Sequence, residues 1–599
     1  MKRSITAPLD LVNLTLNRHL TPLNRILTAD EIVNPQNQAW SLDNLKNIGH
    51  SLTETAGRMP ESIAVACPQP KQPKKLATGA SFRYDTITFS QLEKSSNQIA
   101  LGMQQLGVRP GMRLAMMVPP GISFVANVFG LFKTGAVIIL IDPGMGRKNM
   151  IQCLSDAKPE GMVGIRAAHL ARTVFRSKFP LCKTNVSVDG FFPGCTNASS
   201  FSKLDGDQFQ KVATTREDDA AIIFTTGSTG PPKGVLYRHR IFIEQSQQIR
   251  DYFDIQPGST DVSGFPLFAL FNTAMGTTTV FPEMDPTRPA QVYPPNIIDA
   301  VNQFKADQSF GSPALWNTVS NYCEKQSVSL PTIKRILSAG APVPASVLER
   351  IKKIISPEGD AFTPYGATEA LPVACNSATV VINETAAQTN TGAGTCVGNR
   401  FPGIDWRVIA ITDDPVTDIE QTVTVGVGEV GELIVRGPVV TDQYVTRTEA
   451  NAEHKITDGE TFWHRMGDLG YHDDQDRFWF CGRKSHRVQA SQGDLFTVPC
   501  EAIINTHDLV YRSALVGIGN PGTQTPVLIA EPLAEHWPAN QDAHELLLSE
   551  IREIAATHWQ TDSIQHFLLH PSLPVDIRHN SKIFREQLRP WAEERFIHL

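Results

Sequence analysis

The stretch IIFTTGSTGPPKGVLYRH, residues 222–239, constrains this chain more than any other. An apolar, strand-like run leads into ten residues with three glycines, four hydroxyl side chains, two prolines and one lysine. Glycine and small side chains leave backbone N–H groups free to converge on one anion, and the hydroxyls add donors. Lys233 adds a point positive charge. These are the parts of a phosphate cradle at the end of a strand. The G-x-x-x-x-G-K-[ST] loop is excluded, because two prolines lie between Gly227 and Lys233, and Gly234 follows the lysine.

The rest of the chain supplies the setting. At 599 residues it is too long for one ordinary core. A hydrophobic content of 41% and a charged content of 19% are those of a folded soluble protein. A formal charge of −7 gives no reason to expect nucleic acid or an anionic membrane as the main partner. The nine cysteines are scattered without CxxC spacing and read as reduced thiols of a cytoplasmic protein. On that reading the Asn-x-Ser/Thr sequences at Asn13, Asn185 and Asn197 are chance matches. The first residues lack the apolar core of a signal peptide, and GAVIILI (135–141) is far too short to span a bilayer.

Apolar runs such as RLAMMVPPG (113–121) and AVIILIDPG (136–144) alternate with helical spacing, as in SFVANVFGLFKTG (123–135). This is the βαβ rhythm of a parallel or mixed sheet covered by helices. The stretches 68–81 and 189–208 read as surface insertions, and 383–399 as irregular. From about 425 the character shifts to strands and turns. The end of the chain mixes the strands SALVGIG and PVLIAEP with an amphipathic helix over 543–559. The expected class is multi-domain α/β. A large domain of mixed sheets spans 1–482, and a small mobile α+β domain spans 483–599.

Taken whole, TTGSTGPPKG resembles the phosphate-binding signature of the adenylate-forming superfamily of acyl-CoA synthetases, peptide-synthetase adenylation domains and firefly luciferase. SAGAPVP (338–344) resembles its adenine-binding turn, and YGATEA (365–370) its Y-G-x-T-E motif. GELIVRGP (431–438), HRMGDLG (464–470) and CGRKSHRV (481–488) follow in family order. The resemblance implies roles for particular residues. Thr225, Thr226, Gly227, Ser228, Thr229 and Gly230 would wrap the β- and γ-phosphates of ATP, with Lys233 neutralising charge beside them. Gly340, Ala341 and Pro342 would form the adenine turn, with Tyr365 and Gly366 against the base and Thr368 near the α-phosphate. Glu369 would be the Mg²⁺-associated carboxylate, a hard ligand for an ion also held by phosphates. Asp468 and Arg483 would meet the ribose hydroxyls. The hinge would fall at Ser485, where the family usually has Asp or Lys.

The family's last signature, P-x-T-x-x-G-K, is altered here to LPVDIRHNSKIFRE (573–586). Lys582 still resembles its lysine, which brings carboxylate and α-phosphate together. The shared chemistry is attack of a carboxylate on the α-phosphorus of Mg·ATP. The product is an acyl-adenylate and pyrophosphate.

What attacks the acyl-adenylate is read from departures. FPLFALFNTAMG (265–276) keeps Phe268 of an acyl gate but places Ala269 where many acyl-CoA ligases carry His. That stretch, PEMDPTRPA (282–290) and the altered ending resemble the β-lactone synthetases of bacterial long-chain olefin biosynthesis. The substrate implied is a 2-alkyl-3-hydroxy fatty acid whose own hydroxyl displaces AMP. Phe268, Ala269, Phe271 and Trp316 are the candidates for an alkyl pocket. A fatty acyl-CoA ligase is the alternative, and a silent nucleotide sensor a third. Expected partners are small molecules and other enzymes of the same lipid pathway.

Overall fold

Two sheets position the site. The computed structural model describes residues 41–77, 79–225, 231–576 and 582–596. The seven-stranded sheet contains Arg113–Met117 and Val137–Leu140, which pair in parallel around the helix Ile122–Lys133. Both strands and the helix are almost wholly buried, which explains their near-continuous apolar sequence. Asp219–Phe224 joins in parallel beside Val137–Leu140, whereas Gly234–Arg238 returns antiparallel. The Gly/Thr loop therefore hangs from a hairpin at one end of a parallel sheet. Thr225 N–H donates to the Lys233 carbonyl at 3.0 Å, and Lys233 N–H donates to Thr225 Oγ1 at 3.1 Å. These reciprocal bonds close the loop's mouth. Thr226, Gly227, Ser228, Thr229 and Gly230 lie outside the described residues.

In the larger sheet, Thr260–Ser263, Gln308–Gly311, Arg335–Ser338 and Asp360–Ala367 run parallel. Beyond Asp360–Ala367 its strands are antiparallel. The change falls on the strand that carries Tyr365.

Two expectations about loops need correction. Residues 189–208 are not a simple surface insertion, because Phe201 is buried in the core. Its ring lies so near Gly102 that a Cβ there would come within 2.3 Å of it. Residues 383–399 are not irregular throughout. Ser377 caps a helical turn, and helical backbone continues to Asn390 before the strand Thr395–Arg400.

The C-terminal part forms a three-stranded sheet of Val510–Ile518, Thr525–Pro532 and His566–Leu569. Its helix runs from Gln541 to Ala556, starting earlier than expected because the Asn540 side chain caps Ala543 N–H at 2.9 Å. Leu515, Leu528 and Ile551 fill the core beneath it. Arg585, at the start of the helix Arg585–Phe596, pairs with Glu501 at 2.5 Å.

Candidate active site

Strand register builds one half of the site. Thr461–His472 and Phe478–Arg483 pair so that Asp468 stands opposite Arg483. Arg483 Nη1 donates to Asp468 Oδ1 at 2.7 Å and to the Met466 carbonyl at 3.1 Å. The Tyr365 hydroxyl donates to the other carboxylate oxygen of Asp468 at 2.5 Å. Asp468 is buried, so these partners supply what water cannot. Tyr365 precedes an irregularity in the pairing of Asp360–Ala367 with Ala370–Ser377. Gly366 fits there because a Cβ would sit 2.6 Å from the Ala370 carbonyl oxygen. Leu337 pairs with Phe362 in the parallel register, and Gly340 and Tyr365 each lie three residues further on. The turn Gly340–Ala341–Pro342 thus opens at the same sheet end as Tyr365. Gly340 adopts φ +101°, where a side chain is strained.

The other half surrounds Glu369, in the turn between Asp360–Ala367 and Ala370–Ser377. Its carbonyl accepts from Thr441 N–H at 2.8 Å, and its Oε1 accepts from the Tyr444 hydroxyl at 2.7 Å. Lys233 Nζ lies 5.1 Å from the centre of the Tyr444 ring and 2.8 Å from His454 Nε2. Since an ammonium can only donate, the His454 nitrogen accepts. Burial and the Lys233 charge lower the His454 pKa to about 3, so the ring stays neutral. Burial also lowers the pKa of Lys233, while Glu369 and Glu453 oppose that shift. Lys455, bonded to the Thr441 carbonyl, is lowered by burial to about 7. Thr368 is held through its carbonyl, which accepts from the buried Tyr237 hydroxyl at 2.6 Å.

One segment joins the two motifs. Val440 bridges to Ala370, while Gln443, Tyr444 and Val445 bond to the hairpin strand at Gly234–Leu236. The loop's lysine and Glu369, 136 positions apart, are thereby brought to one tyrosine, the lysine over its ring and the glutamate at its hydroxyl. Tyr444, His454, Lys455 and Tyr237 were not expected from sequence. None lies within a family motif, Tyr237 falling three residues past TTGSTGPPKG, and no local spacing marks them.

The residues expected around an alkyl chain are only partly together. Phe268 stacks on Phe310 at 4.3 Å and lies 5.8 Å from Phe271. Ala269 is buried on the same helix, Phe268–Met275. Trp316 is fully buried in a separate core with Val262, Ile297 and Val319. It therefore does not join the phenylalanine cluster. Its place is set by the helix Pro313–Gln326, which packs it against Gly311, where a Cβ would lie 2.9 Å from its Nε1. Ser485 sits in the short 3₁₀ turn Lys484–His486. Beside it, Lys484 Nζ bonds Glu432 at 3.1 Å, and Arg487 bonds Asp413 and Asp494. Lys582 is half-buried. Its carbonyl accepts from Asp576 N–H at 2.9 Å, next to the Val575–Ile583 bridge.

Two carboxylates, Asp468 and Glu369, and two cations, Arg483 and Lys233, thus gather with two tyrosines beside the Gly/Thr hairpin loop. The chain belongs to the AMP-binding enzyme family, whose sequence pattern matches residues 53–445. It is an AMP-forming ligase that uses ATP. It is 44% identical over 556 residues to the olefin beta-lactone synthetase of Stenotrophomonas maltophilia (strain K279a), covering 91% of this chain and 98% of that one. It is 42% identical over 560 residues to the olefin beta-lactone synthetase of Xanthomonas campestris pv. campestris, covering 92% and 98%. Among solved structures, the anthranilate CoA ligase AuaEII in complex with anthranoyl-AMP aligns with a TM-score of 0.73 at 17% identity, covering 92% of this chain and 99% of that one. No helix among the described residues is long and apolar enough to cross a membrane.

Proposed function

We propose that this chain is a β-lactone synthetase acting on 2-alkyl-3-hydroxy fatty acids in long-chain olefin formation. The convergence of Lys233 and Glu369 on Tyr444, beside the Asp468–Arg483 pair, carries the activation half of this reading. The lactone half rests on the high identity to the two synthetases, the altered ending around Lys582 and Ala269 in the gate stretch.

In the first step a carboxylate oxygen of the acid attacks the α-phosphorus, and the bond to pyrophosphate breaks. The loop from Thr225 to Gly230 would hold the β- and γ-phosphates, with Lys233 meeting their charge. Asp468 and Arg483 would orient the ribose, and Gly340–Pro342 with Tyr365 the adenine. A single hard carboxylate beside phosphate oxygens suits Mg²⁺, so the donor set fits the ion, and Glu369 would hold it. Bound there, the metal would neutralise phosphate charge. Residues 483–599 would turn about Ser485 as a lid that brings Lys582 to the carboxylate and α-phosphate. In the second step the substrate's β-hydroxyl oxygen attacks the acyl carbon. The acyl–phosphate C–O bond breaks, AMP leaves with the electron pair, and the hydroxyl proton is released. An internal nucleophile has a high effective molarity, which offsets ring strain.

Phe268 and Phe271 would line the alkyl chain, with Ala269 leaving room beside them. The nine unpaired cysteines support a cytoplasmic setting, and the acid would come from other enzymes of the same lipid pathway. The test is incubation with ATP, Mg²⁺ and a 2-alkyl-3-hydroxy acid without coenzyme A. Mass spectrometry should show AMP and a product lighter than the acid by one water. AMP release that requires coenzyme A, with thioester as product, would overturn the lactone step.

A further inference from the structure

At the sheet edge remote from the Gly/Thr hairpin, the molecule presents an unusual surface. Of the twelve large apolar side chains strongly exposed among the described residues, five fall between positions 170 and 191. They are Leu170, Val174, Phe175, Leu181 and Phe191, with exposures from 43% to 75%. Leu170 and Val174 are one turn apart on the helix Arg166–Val174, which follows the strand Gly161–Gly164. Phe175 continues that helix, its N–H donating to the Ala171 carbonyl at 2.9 Å. Phe191 is brought alongside by two ties. Asp189 accepts from Arg166 N–H at 2.8 Å, and the neighbouring Phe192 ring lies 5.8 Å from His169 on the helix's inner side. Leu170, Val174 and Phe175 thus follow one another along a single helix, with Phe191 tied near its start.

Within this stretch of sequence the charges have one dominant sign. Between 166 and 191 stand Arg166, Arg172, Arg176, Lys178 and Lys183 against the single acid Asp189, in a chain with 61 acidic and 54 basic residues overall. Arg176, Lys178 and Lys183 are exposed. Protein–protein interface cores are depleted of lysine, whereas exposed aromatic and aliphatic tips among cations match an anionic lipid surface. We propose that the face formed by residues 166–191 docks the protein on an anionic bilayer, with Leu170, Val174, Phe175 and Phe191 entering the headgroup boundary. The local charge of this face opposes the global one. Docking does not depend on the proposed function. Only its purpose, drawing a two-chain alkyl acid from the bilayer into which it partitions, rests on that reading.

The test is co-sedimentation of the full chain with vesicles of equimolar phosphatidylglycerol and phosphatidylcholine, without ATP or acid. The protein should sediment with these vesicles, less so as salt rises, and weakly with phosphatidylcholine alone. Arg176→Gln, Lys178→Gln and Lys183→Gln together should weaken binding about 100-fold, roughly fivefold per cation. Leu170→Ser with Phe191→Ser should weaken it at least about tenfold. Pyrophosphate exchange with a water-soluble hydroxy acid should be unchanged in both variants, which shows that they fold. Full-chain protein remaining in the supernatant, or variants sedimenting as the parent does, would overturn the proposal. Self-association abolished by Leu170→Ser and Phe191→Ser, with no vesicle binding, would overturn it in favour of a second copy of the chain.

Discussion

Two carboxylates in this molecule lie beneath a tyrosine hydroxyl and close to a cation, yet the two halves of the site treat them differently. On one side Asp468 bonds Arg483 directly at 2.7 Å, and strand register alone places them opposite each other. On the other side Lys233 rests on neutral His454 and the face of Tyr444, while Glu369 takes the hydroxyl of that tyrosine. The first pair is closed and sets a shape. The second keeps cation and carboxylate near but unjoined, each against a neutral partner. The contrast suggests that the Asp468 side should govern binding and stability, and the Glu369 side rate.

The sharpest way to break that contrast is Glu369→Gln, which keeps an acceptor for Tyr444 but removes the charge. Acid-dependent pyrophosphate exchange should fall by about 10²–10³-fold with unchanged circular dichroism. Near-normal exchange would remove Glu369 from the chemistry. Next is Asp468→Asn, which weakens the hold on Arg483. The KM for ATP should rise roughly tenfold with a smaller change in kcat, and stability should fall by about 1–2 kcal/mol in urea titrations. A loss confined to kcat would invert the comparison.

His454 tests the open side more finely. His454→Ala should lower kcat about tenfold by releasing Lys233, and His454→Gln, which restores an acceptor, should recover most of it. Equal losses in both variants would reduce His454 to packing. The smallest effect concerns Lys455, whose folded pKa is lowered from 10.5 to about 7. Between those values the unfolded chain holds a proton that the folded one gives up, so this residue's contribution to stability rises with pH above about 7 and is flat below it. Relative to the parent, Lys455→Met should lose about 1 kcal/mol of stability gain between pH 7 and 8.

Legibility from sequence followed the same division. Residues within short, ordered motifs could be read directly: Lys233 after its glycines, Glu369 in YGATE, Asp468 in MGDL. Their meeting depends on the segment Val440–Val445, whose bonds to Ala370 and Gly234–Leu236 are long-range pairings without a local pattern. Tyr444 and His454 were missed for that reason. Trp316 shows a second limit. Its size and apolarity announce burial, but a helix decides which core receives it. Phe201 shows the same from the other direction, lying in a Gly/Ser-rich stretch that composition assigns to the surface yet packing against Gly102.

The segment from Val440 to Thr446 has main-chain bonds on both flanks, and Asp442 within it also grips Arg238 and Arg240. Adding or deleting a single residue there would throw one flank out of step with its neighbour. This short span should therefore tolerate almost no change in length, even where its side chains could be exchanged.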